Sequence, residues 1–445
     1  MKKKYRRIYA LTLVFVFFLI APVLVFYATG FRYNFTDRKV IKTGVLSIES
    51  EPRNAQVTIN GKLYGSKTPT VAKNLFPGDY TISVEKQGYY TWEKTLPVFA
   101  NQSTTTNRVS LLKSEAALLA MDDEVTGIVY SPANHYLAYL TSNEVGSADL
   151  VIKEHTTLAT VITIKNIESD SQIAFTDNEN FVFIKDKSND VIARIISLPD
   201  KLDILSKSIS ALPIYKLAES GDQRELYAIS DNGLFKINIV DKTIELIIKG
   251  QIQDVIELDQ SIYYIEKKND LSVLSKTDKN DLNNINEILT FSNKGIYSLS
   301  KTADSYINMH DTKNQELSLI RVRDQFSFNL NKLNPDVSSF AWSPDKSLLM
   351  LYNDFEIWSF DPESDQQELL IRSGSVIKFA DWSPDGKWII YSNDGYIRAI
   401  ELDGRGKRNI VNLVESDFAP FSVNKNTKVM FYHDASQHLY RKSIQ

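Results

Sequence analysis

The 445-residue sequence contains no cysteine, which excludes disulfides, zinc–thiolate sites, iron–sulfur clusters and a cysteine nucleophile. Glycine and proline are also scarce, at 17 and 13 residues, so the chain is neither collagenous nor a flexible low-complexity polymer. From residue 31 onward, 46 Lys and Arg residues face 55 Asp and Glu residues, a net charge of −9. Such a body repels phosphate backbones, and we predict no nucleic-acid partner. Hydrophobic residues make up 43% of the sequence, enough to build folded cores over most of its length.

One long apolar segment lies near the amino terminus. Residues 8–29 carry no charge, whereas residues 1–7 carry five cations. A helix of this length spans the core of a bilayer, which is about 30 Å thick. Because cations stay on the cytoplasmic side, we predict a cytoplasmic tail (1–7), an anchor in the cell membrane (8–29) and an extracytoplasmic remainder. A signal peptide cleaved near residues 28–30 is the alternative, but the segment exceeds the roughly 7–15 apolar residues usual for such peptides.

After a juxtamembrane linker (30–43), residues 44–112 show the alternation typical of strands. Val57 and Ile59 precede Asn60-Gly61, which predicts a hairpin with a two-residue type I′ turn. In residues 80–85 the alternation predicts that Tyr80, Ile82 and Val84 face inward and that Thr81, Ser83 and Glu85 face outward. This region therefore predicts a small β-domain.

Four short motifs in this region have a family resemblance. They are Ser50-Glu51-Pro52-Arg53-Asn54-Ala55, Val57 to Gly61, Leu75-Phe76-Pro77-Gly78-Asp79-Tyr80, and Gly88-Tyr89. With this spacing the segment resembles the PEGA domain, a small β-sandwich-like module of prokaryotic surface proteins. The resemblance implies an envelope or surface module and no chemistry.

Residues 113–445 repeat with intervals of 39–45 residues. Each repeat is marked by a residue before a turn, aromatic in five of eight cases, and by an apolar strand after the turn: Tyr130, Phe175, Glu219, Leu258, Ser300, Trp342, Trp382 and Phe421. This period, with four short strands per unit, predicts a β-propeller. Eight starts favour eight blades, and seven is the alternative if one faint repeat is an insertion. The last unit has three strands, and a spare strand at residues 116–121 is expected to complete it and close the ring.

The turns of the repeats also have a family resemblance. Ser-Pro-Asp turns follow an aromatic residue at Trp342 and Trp382, and a weaker copy follows Tyr130. These turns resemble those of TolB-like and WD-repeat-like propellers, although the Trp-Asp dipeptide itself is absent. The resemblance implies a binding ring more often than an enzyme.

The candidate binding residues lie in recurring turns between the second and third strands of the repeats. They are Asn353, Asp354, Asn393, Asp394, His433 and Asp434, with weaker copies at Asp231-Asn232 and His310-Asp311. They predict an acidic rim on one face of the ring, although Asp and Asn also recur in turns for conformational reasons alone. A second candidate surface is the aromatic patch of Tyr89, Tyr90 and Trp92, for which core packing is the alternative.

The sequence has no signature of a catalytic or metal site. It lacks a Gly-x-Ser-x-Gly elbow, and the spacing of His433 and His438 does not suit zinc. We predict no cofactor and no metal. The sequence favours an all-β, membrane-anchored scaffold or binding protein that engages an envelope protein or a cell-wall glycan. A propeller-type hydrolase or lyase acting on an extracytoplasmic peptide or polysaccharide is the alternative.

Overall fold

The computed structural model of the protein describes residues 3–35, 38–121, 125–142, 147–186, 191–203, 212–292, 295–302, 306–322, 328–333, 336–416, 421–434, 436 and 438–445. The chain divides into two compact units. The first contains Met1–Ala116, Ile400–Val411 and Ile444–Gln445, and the second contains Ala117–Ala399 and Asn412–Ser443.

The first unit begins with helix α1 (Lys3–Ala28). Its segment Tyr9–Ala28 has a mean hydropathy of 2.7 and no buried portion, so it is apolar on every side. The helix ends where Gly30 adopts a left-handed φ of 85° and Thr29 donates from its hydroxyl to the carbonyl of Val25 at 2.7 Å. Among the described residues, α1 is the one helix long and apolar enough to cross a membrane.

The rest of the first unit is built from short strands. They are β1 (Phe31–Asn34), β2 (Lys39–Lys42), β3 (Gly44–Ile48), β4 (Ser50–Glu51), β5 (Gln56–Ile59), β6 (Lys62–Tyr64), β7 (Thr70–Leu75), β8 (Gly78–Glu85), β9 (Trp92–Val98), β10 (Ser103–Thr105) and β11 (Val109–Ser110). Strands β6-β5-β8-β9 form one sheet and β10-β3-β7 another, with β1-β2 and β11-β4 as two-stranded ribbons.

The predicted hairpin is confirmed. Strands β5 and β6 pair around Asn60 and Gly61, whose φ values of 49° and 72° are those a type I′ turn requires. In β8, Ile82 and Val84 are buried as predicted, and Ser83, on the opposite face with Glu85, is buried as well. The Ser83 hydroxyl donates to Glu85 at 3.1 Å, which satisfies a polar group that alternation alone would place in water.

Distant residues of the chain complete the first unit. The side chain of Lys94 is fully buried, and its ammonium lies 2.9 Å from Glu401 Oε2 and donates to the carbonyl of Asp403 at 2.6 Å. The guanidinium of Arg405 donates to the carbonyl of Thr105 at 2.9 Å. Residues 400–411 therefore pack with the small β-domain as part of one unit.

The second unit consists of four-stranded antiparallel sheets in chain order. The first four contain β13 (Thr126–Tyr130), β14 (Tyr136–Ser142), β15 (Ala148–Glu154), β16 (Thr160–Ile167); β17 (Gln172–Phe175), β18 (Phe181–Asp186), β19 (Val191–Ser197), β20 (Leu202–Asp203); β21 (Lys216–Glu219), β22 (Glu225–Ser230), β23 (Gly233–Asn238), β24 (Thr243–Lys249); and β25 (Gln251–Leu258), β26 (Ser261–Lys268), β27 (Leu271–Asp278), β28 (Asp281–Ser292).

The next three sheets follow the same plan. They contain β29 (Tyr297–Lys301), β30 (Tyr306–Asp311), β31 (Glu316–Val322), β32 (Phe328–Leu333); β33 (Ser339–Trp342), β34 (Leu349–Tyr352), β35 (Glu356–Asp361), β36 (Gln366–Arg372); and β37 (Ile377–Trp382), β38 (Trp388–Asn393), β39 (Tyr396–Glu401), β40 (Ile410–Glu415). Residues 400–411, which comprise the last two residues of β39, the connection to β40 and the first two residues of β40, belong to the first unit.

The last sheet joins the two ends of the second unit. Its strands are β41 (Ser422–Asn424), β42 (Val429–His433), β43 (Leu439–Ser443) and β12 (Leu118–Met121), in the order β12-β43-β42-β41. The predicted completion of the last unit by an early strand is thus confirmed, with Leu118 opposite Arg441 and Met121 opposite Leu439. Pairing of β12 with β43 covers an edge that each would otherwise expose.

The hydrophobic core of the second unit lies between neighbouring sheets. Leu150 and Ile152 of one sheet pack with Val182 and Ile184 of the next in a single buried cluster. First strands of successive sheets also contact each other, as β21 does β25 and β25 does β29. The second strands are apolar on both faces because each sheet is covered on both sides. This is the arrangement of a β-propeller.

Candidate functional site

The predicted Asp and Asn positions lie mostly in or beside the turns that were expected. The amide oxygen of Asn353 accepts hydrogen bonds from the backbone N–H groups of Phe355 and Glu356, at 3.0 and 2.9 Å. Asp434 Oδ1 accepts from the N–H groups of Ser436 and His438, at 2.9 and 3.1 Å. These two side chains stabilise their own turns, which is the conformational role that recurs for Asp and Asn.

The remaining predicted rim residues differ in exposure. Asp354 and Asp394 are exposed, and Asp394 has a left-handed φ of 49° beside Gly395. Asn393 is the buried last residue of β38, where its amide oxygen accepts from Arg398 at 2.8 Å. His433 is half-buried at the end of β42, and burial lowers the pKa of its imidazole. The exposed acidic side chains of the predicted rim are therefore Asp354 and Asp394, and Asp434 is half-buried.

One pair in this series is placed differently. His310 and Asp311 were expected in a turn, but both are buried residues at the end of strand β30. Asp311 Oδ1 accepts from the N–H of Ile296 at 3.2 Å and from the N–H of Lys313 at 3.1 Å. The carboxylate thus holds the following turn from inside the strand and contributes no exposed charge.

The aromatic patch is largely part of the core of the first unit. Trp92 is 2% exposed, and its indole N–H donates to Glu401 Oε1 at 2.8 Å. Tyr89 and Tyr90 are half-buried, and burial raises the pKa of the Tyr90 phenol. Trp92 therefore packs in the core, which was the alternative to a binding role, and its indole is not available for stacking. A binding role for Tyr90 stays a prediction.

A cavity lies in the second unit where the second strands begin, whereas the Asp and Asn turns lie where these strands end. It has a volume of about 1080 Å³ and is bordered by the turns that join first strands to second strands. Residues of these turns from successive sheets contribute to its wall, among them His135, Asn178, Gly221, Gln260, Thr302, Lys346, Pro384 and Asn426. Because the Asp and Asn turns join second strands to third strands, they lie at the other end of the propeller.

Local hydrogen bonds make these turns rigid. The hydroxyl of Ser343 donates to Asp345 at 2.6 Å, and that of Ser383 donates to Asp385 at 2.8 Å. Each serine oxygen also accepts a hydrogen bond from a backbone N–H five residues later. The donors are the N–H of Leu348 and the N–H of Trp388, both at 2.9 Å. The hydrogen bond from the Ser343 hydroxyl is the main cause of a lowered pKa of the Asp345 carboxyl. Pro344 and Pro384 of these Ser-Pro-Asp motifs border the cavity.

Charges of opposite sign line different parts of the cavity. Acidic side chains come from three successive sheets, at Asp177, Glu219, Glu257 and Asp259. Basic side chains come from later sheets, at Lys301, Lys346 and Lys425. Since the sheets follow one another in chain order, the wall has an acidic arc and a basic arc.

Glutamates also connect neighbouring turns. Glu179 Oε1 accepts from the N–H of Ala133 at 2.6 Å, and Glu257 Oε2 accepts from the N–H of Gly221 at 3.0 Å. Glu219 accepts from the N–H of Asn178 in the same way. In each case a carboxylate of one sheet satisfies a backbone donor in the turn of the preceding sheet. Burial raises the pKa of the Glu219 carboxyl, and the neighbouring charge of Asp177 adds to that effect.

A narrower cavity of about 210 Å³ opens from the same acidic side and shares residues 177, 219, 257, 300 and 301 with the wider one. At its wall, the buried carboxylate of Asp254 accepts from Lys216 Nζ and from the N–H of Leu299, both at 2.6 Å. Burial raises the pKa of Asp254, while the Lys216 ammonium opposes that shift. The ion pair leaves the inner cavity lined by satisfied polar groups. Among the described residues, no group of acidic and histidine side chains has the arrangement of a metal site.

The comparisons with known proteins agree with these two folds. Residues 43–111 match the family model of the PEGA domain. The C-terminal WD40 domain of Sif2 has a similar structure, with a TM-score of 0.51 and 14% identity over 75% of this chain and 98% of that domain. The β-propeller domain of Cps50 (Swd1) from Myceliophteria thermophila has a TM-score of 0.46 and 10% identity over 74% of this chain and 98% of that domain. A comparison with curated proteins found no significant match.

The fold therefore defines a β-propeller protein. More particularly, it carries a PEGA domain and an apolar amino-terminal helix that is a candidate membrane span.

Proposed function

We propose that this protein is a single-pass membrane protein that binds an envelope protein through the cavity at the first-to-second-strand turns. In this proposal residues 8–29 anchor the chain, the amino terminus is cytoplasmic, and the PEGA domain (44–112) and an eight-bladed propeller (113–445) lie outside the cell membrane. The five leading cations and the apolar helix support that orientation.

The observation that carries the binding proposal is the charge pattern of the cavity wall. Asp177 and Asp259 are exposed on the acidic arc, and Lys301 and Lys346 are exposed on the basic arc. A polypeptide segment with both signs of charge complements such a wall, and complementary charges give specificity and fast association. Among the described residues that border the wider cavity there is no Phe, Tyr or Trp, the side chains whose broad faces stack on sugar rings. These features favour a protein over a cell-wall glycan.

The acidic rim at the opposite end is a second proposed contact surface. Its exposed charges, Asp354 and Asp394, recur 40 residues apart in equivalent turns of neighbouring sheets. Charges at a rim act mainly on association rates and on salt dependence, so we assign the rim a steering role.

The chain offers a matched pair of lysines for testing the cavity. Lys346 and Lys428 are both exposed, both lie in first-to-second-strand turns, and both have left-handed φ values, of 64° and 58°. Lys346 borders the cavity, whereas Lys428 is not among its lining residues. Lys346→Glu and Lys428→Glu therefore make the same charge change in the same backbone conformation.

The experiment captures partners from solubilised membranes with the full-length protein and its two variants. We expect Lys346→Glu to reduce recovery of the principal partner by about fivefold, equivalent to about 1 kcal/mol, and Lys428→Glu to leave it unchanged. Equal recovery with both variants would contradict the cavity as the binding site. Sedimentation of the protein with purified cell-wall polysaccharide is the parallel test, and binding there that is sensitive to Lys346→Glu would favour the glycan instead.

A further inference from the structure

A β-hairpin follows the membrane helix directly. In the pairing of β1 with β2, Phe31 lies opposite Lys42 and Tyr33 lies opposite Val40. Paired residues share a face of a ribbon, and successive residues alternate between faces. One face therefore carries Phe31, Tyr33, Val40 and Lys42, and the other carries Arg32, Asn34, Lys39 and Ile41.

The first of these faces is apolar and exposed. Tyr33 is 48% exposed, Val40 is 58% exposed, and Phe35, one residue beyond β1, is 84% exposed. The rings of Tyr33 and Phe35 contact each other edge to face, with centroids 5.0 Å apart. A cluster of large apolar side chains this exposed marks an interaction surface.

The opposite face is held against the rest of the first unit. The guanidinium of Arg32 donates to the carbonyl of Tyr27 at 2.6 Å and to the amide oxygen of Asn74 at 2.8 Å. It also lies over the Tyr27 ring, 3.6 Å from the centroid. These contacts join the hairpin to the last turn of α1 and to strand β7, so the face with Tyr33 and Phe35 points away from both.

The exposed face continues the apolar surface of the helix. The ring of Phe31 contacts that of Phe26, a residue of the last helical turns, with centroids 5.2 Å apart. Phe26 is 54% exposed on a helix whose membrane segment is not buried by any other part of the unit. Aromatic side chains are enriched where a membrane helix meets the headgroup layer.

The hairpin is also positively charged, unlike the acidic body that follows it. Residues 31–42 contain Arg32, Arg38, Lys39 and Lys42 and one acid, Asp37. Clusters of cations next to a membrane helix are attracted to anionic headgroups. Apolar side chains and cations in one short segment complement the two layers of an interface, the acyl-chain boundary and the phosphates.

We propose that strands β1 and β2, with the adjoining residues Phe35 and Arg38, form an interfacial lipid-binding hairpin. Tyr33, Phe35 and Val40 insert at the acyl-chain boundary of the bilayer that α1 spans, and the cations bind anionic headgroup phosphates. This inference rests on the proposed membrane anchor. It gives the first unit a second attachment to the bilayer and restricts its rotation about the helix axis.

The absence of native cysteine allows clean site-specific labelling. Val40→Cys places a nitroxide label on the apolar face, and Lys39→Cys places one on the adjacent position of the opposite face. Each full-length variant is reconstituted into vesicles of phosphatidylcholine with phosphatidylglycerol and into vesicles of phosphatidylcholine alone. Collision rates of each label with oxygen, which partitions into lipid, and with a water-soluble nickel chelate report its depth.

We expect the label at residue 40 to favour oxygen over nickel severalfold more than the label at residue 39 does. Adding Tyr33→Ser and Phe35→Ser should remove that difference. We also expect the label at residue 40 to lie deeper in vesicles with phosphatidylglycerol than in vesicles of phosphatidylcholine alone. Adding Arg38→Gln and Lys42→Gln should remove this difference and leave the depth in phosphatidylcholine unchanged. Flotation of each variant with the vesicles reports the membrane anchor separately.

Two outcomes overturn the proposal, and they are distinguishable. If the protein floats with vesicles but the labels at residues 39 and 40 are equally accessible to nickel, the hairpin does not bind lipid, and its apolar face is available to a protein partner. If the protein does not float, the membrane anchor itself fails, and the hairpin proposal fails with it. Equal depth of residue 40 in both kinds of vesicle would refute the role of anionic headgroups.

Discussion

The ammonium of Lys94 lies 2.9 Å from a carboxylate oxygen of Glu401, and the Lys94 side chain is fully buried. Both residues belong to the first compact unit although they are far apart in the sequence. The other oxygen of Glu401 accepts from the indole of Trp92 at 2.8 Å, so the carboxylate is satisfied on both sides. A buried charge is stable only with such partners, and the pair makes residues 400–411 an integral part of the fold of this unit.

Breaking this pair should destabilise the protein strongly. We expect Glu401→Leu to lower the free energy of unfolding by about 3 kcal/mol, because it leaves the Lys94 ammonium buried beside only the Asp403 carbonyl and carboxylate. The double variant Lys94→Met with Glu401→Leu should recover part of that loss, because no uncompensated charge remains. Urea unfolding of the full-length protein, followed by tryptophan fluorescence, measures both. A double variant as unstable as the sum of the single changes would contradict a direct interaction.

Ring closure gives a second prediction, with a control on the same strand. Met121 is 8% exposed in a cluster with Tyr139, Phe431 and Leu439, whereas Leu118 is 59% exposed. Met121→Asp should destabilise the second unit by several kcal/mol, because it places an unpaired charge in the core. Leu118→Asp should change the free energy of unfolding by less than about 0.5 kcal/mol, because residue 118 is exposed. Thermal unfolding and protease cleavage near residues 113–121 report the effect. Equal melting of the two variants would show that β12 is dispensable for closure.

Much of the architecture could be predicted from the sequence because its signals are local. The eight repeat starts fall at or beside the ends of the first strands, from Tyr130 in β13 to Phe421 just before β41. The Asn60-Gly61 turn also follows from nearby residues, and the closing strand follows from the missing fourth strand of the last repeat. The resemblances to the PEGA domain and to WD-repeat-like propellers are borne out. The number of blades stays a prediction.

The candidate site could not be predicted in the same way. The cavity is assembled from turns that lie about one repeat apart in the chain, and nothing local indicates that their side chains share a wall. The bonds from Glu179, Glu219 and Glu257 to the preceding turns also cross from sheet to sheet. A signal existed in the recurrence of a glutamate at or near the carboxyl end of the first strand. In an acidic chain this signal is indistinguishable from solvated turns.

The buried histidine at ring closure predicts a pH dependence of stability. Asn424 donates to His155 Nδ1 at 3.0 Å and to the carbonyl of Asn134 at 2.8 Å, joining the last sheet to the first. Burial lowers the pKa of His155 to about 4, below the value near 6.5 of an unfolded histidine. The unfolded chain therefore binds the additional proton between these values, and stability should fall as the pH decreases from about 6.5 to about 4, by roughly 3 kcal/mol at most.

The measurement compares urea midpoints of the wild type and His155→Gln at several pH values in this window. Gln cannot titrate, so the variant should start less stable at neutral pH and lose less stability on acidification. The same slope in His155→Gln would assign the acid sensitivity to other groups.

The acidic rim requires a test that separates folding from binding, since its side chains serve the turns as well. Changing Asp354, Asp394 and Asp434 together to Asn removes three charges and keeps residues that favour the same turns. The amide oxygen of Asn at position 434 can still accept from the N–H groups of Ser436 and His438, so we expect a stability change within about 0.5 kcal/mol at each position. Association with the partner captured through the cavity should become slower and less sensitive to salt, with little change in dissociation, because rim charges act through steering. Surface plasmon resonance at low and high ionic strength separates the two rates. Unchanged association at low salt would leave these aspartates with a conformational role alone, whereas faster dissociation would place the main contact at the rim and contradict the cavity proposal.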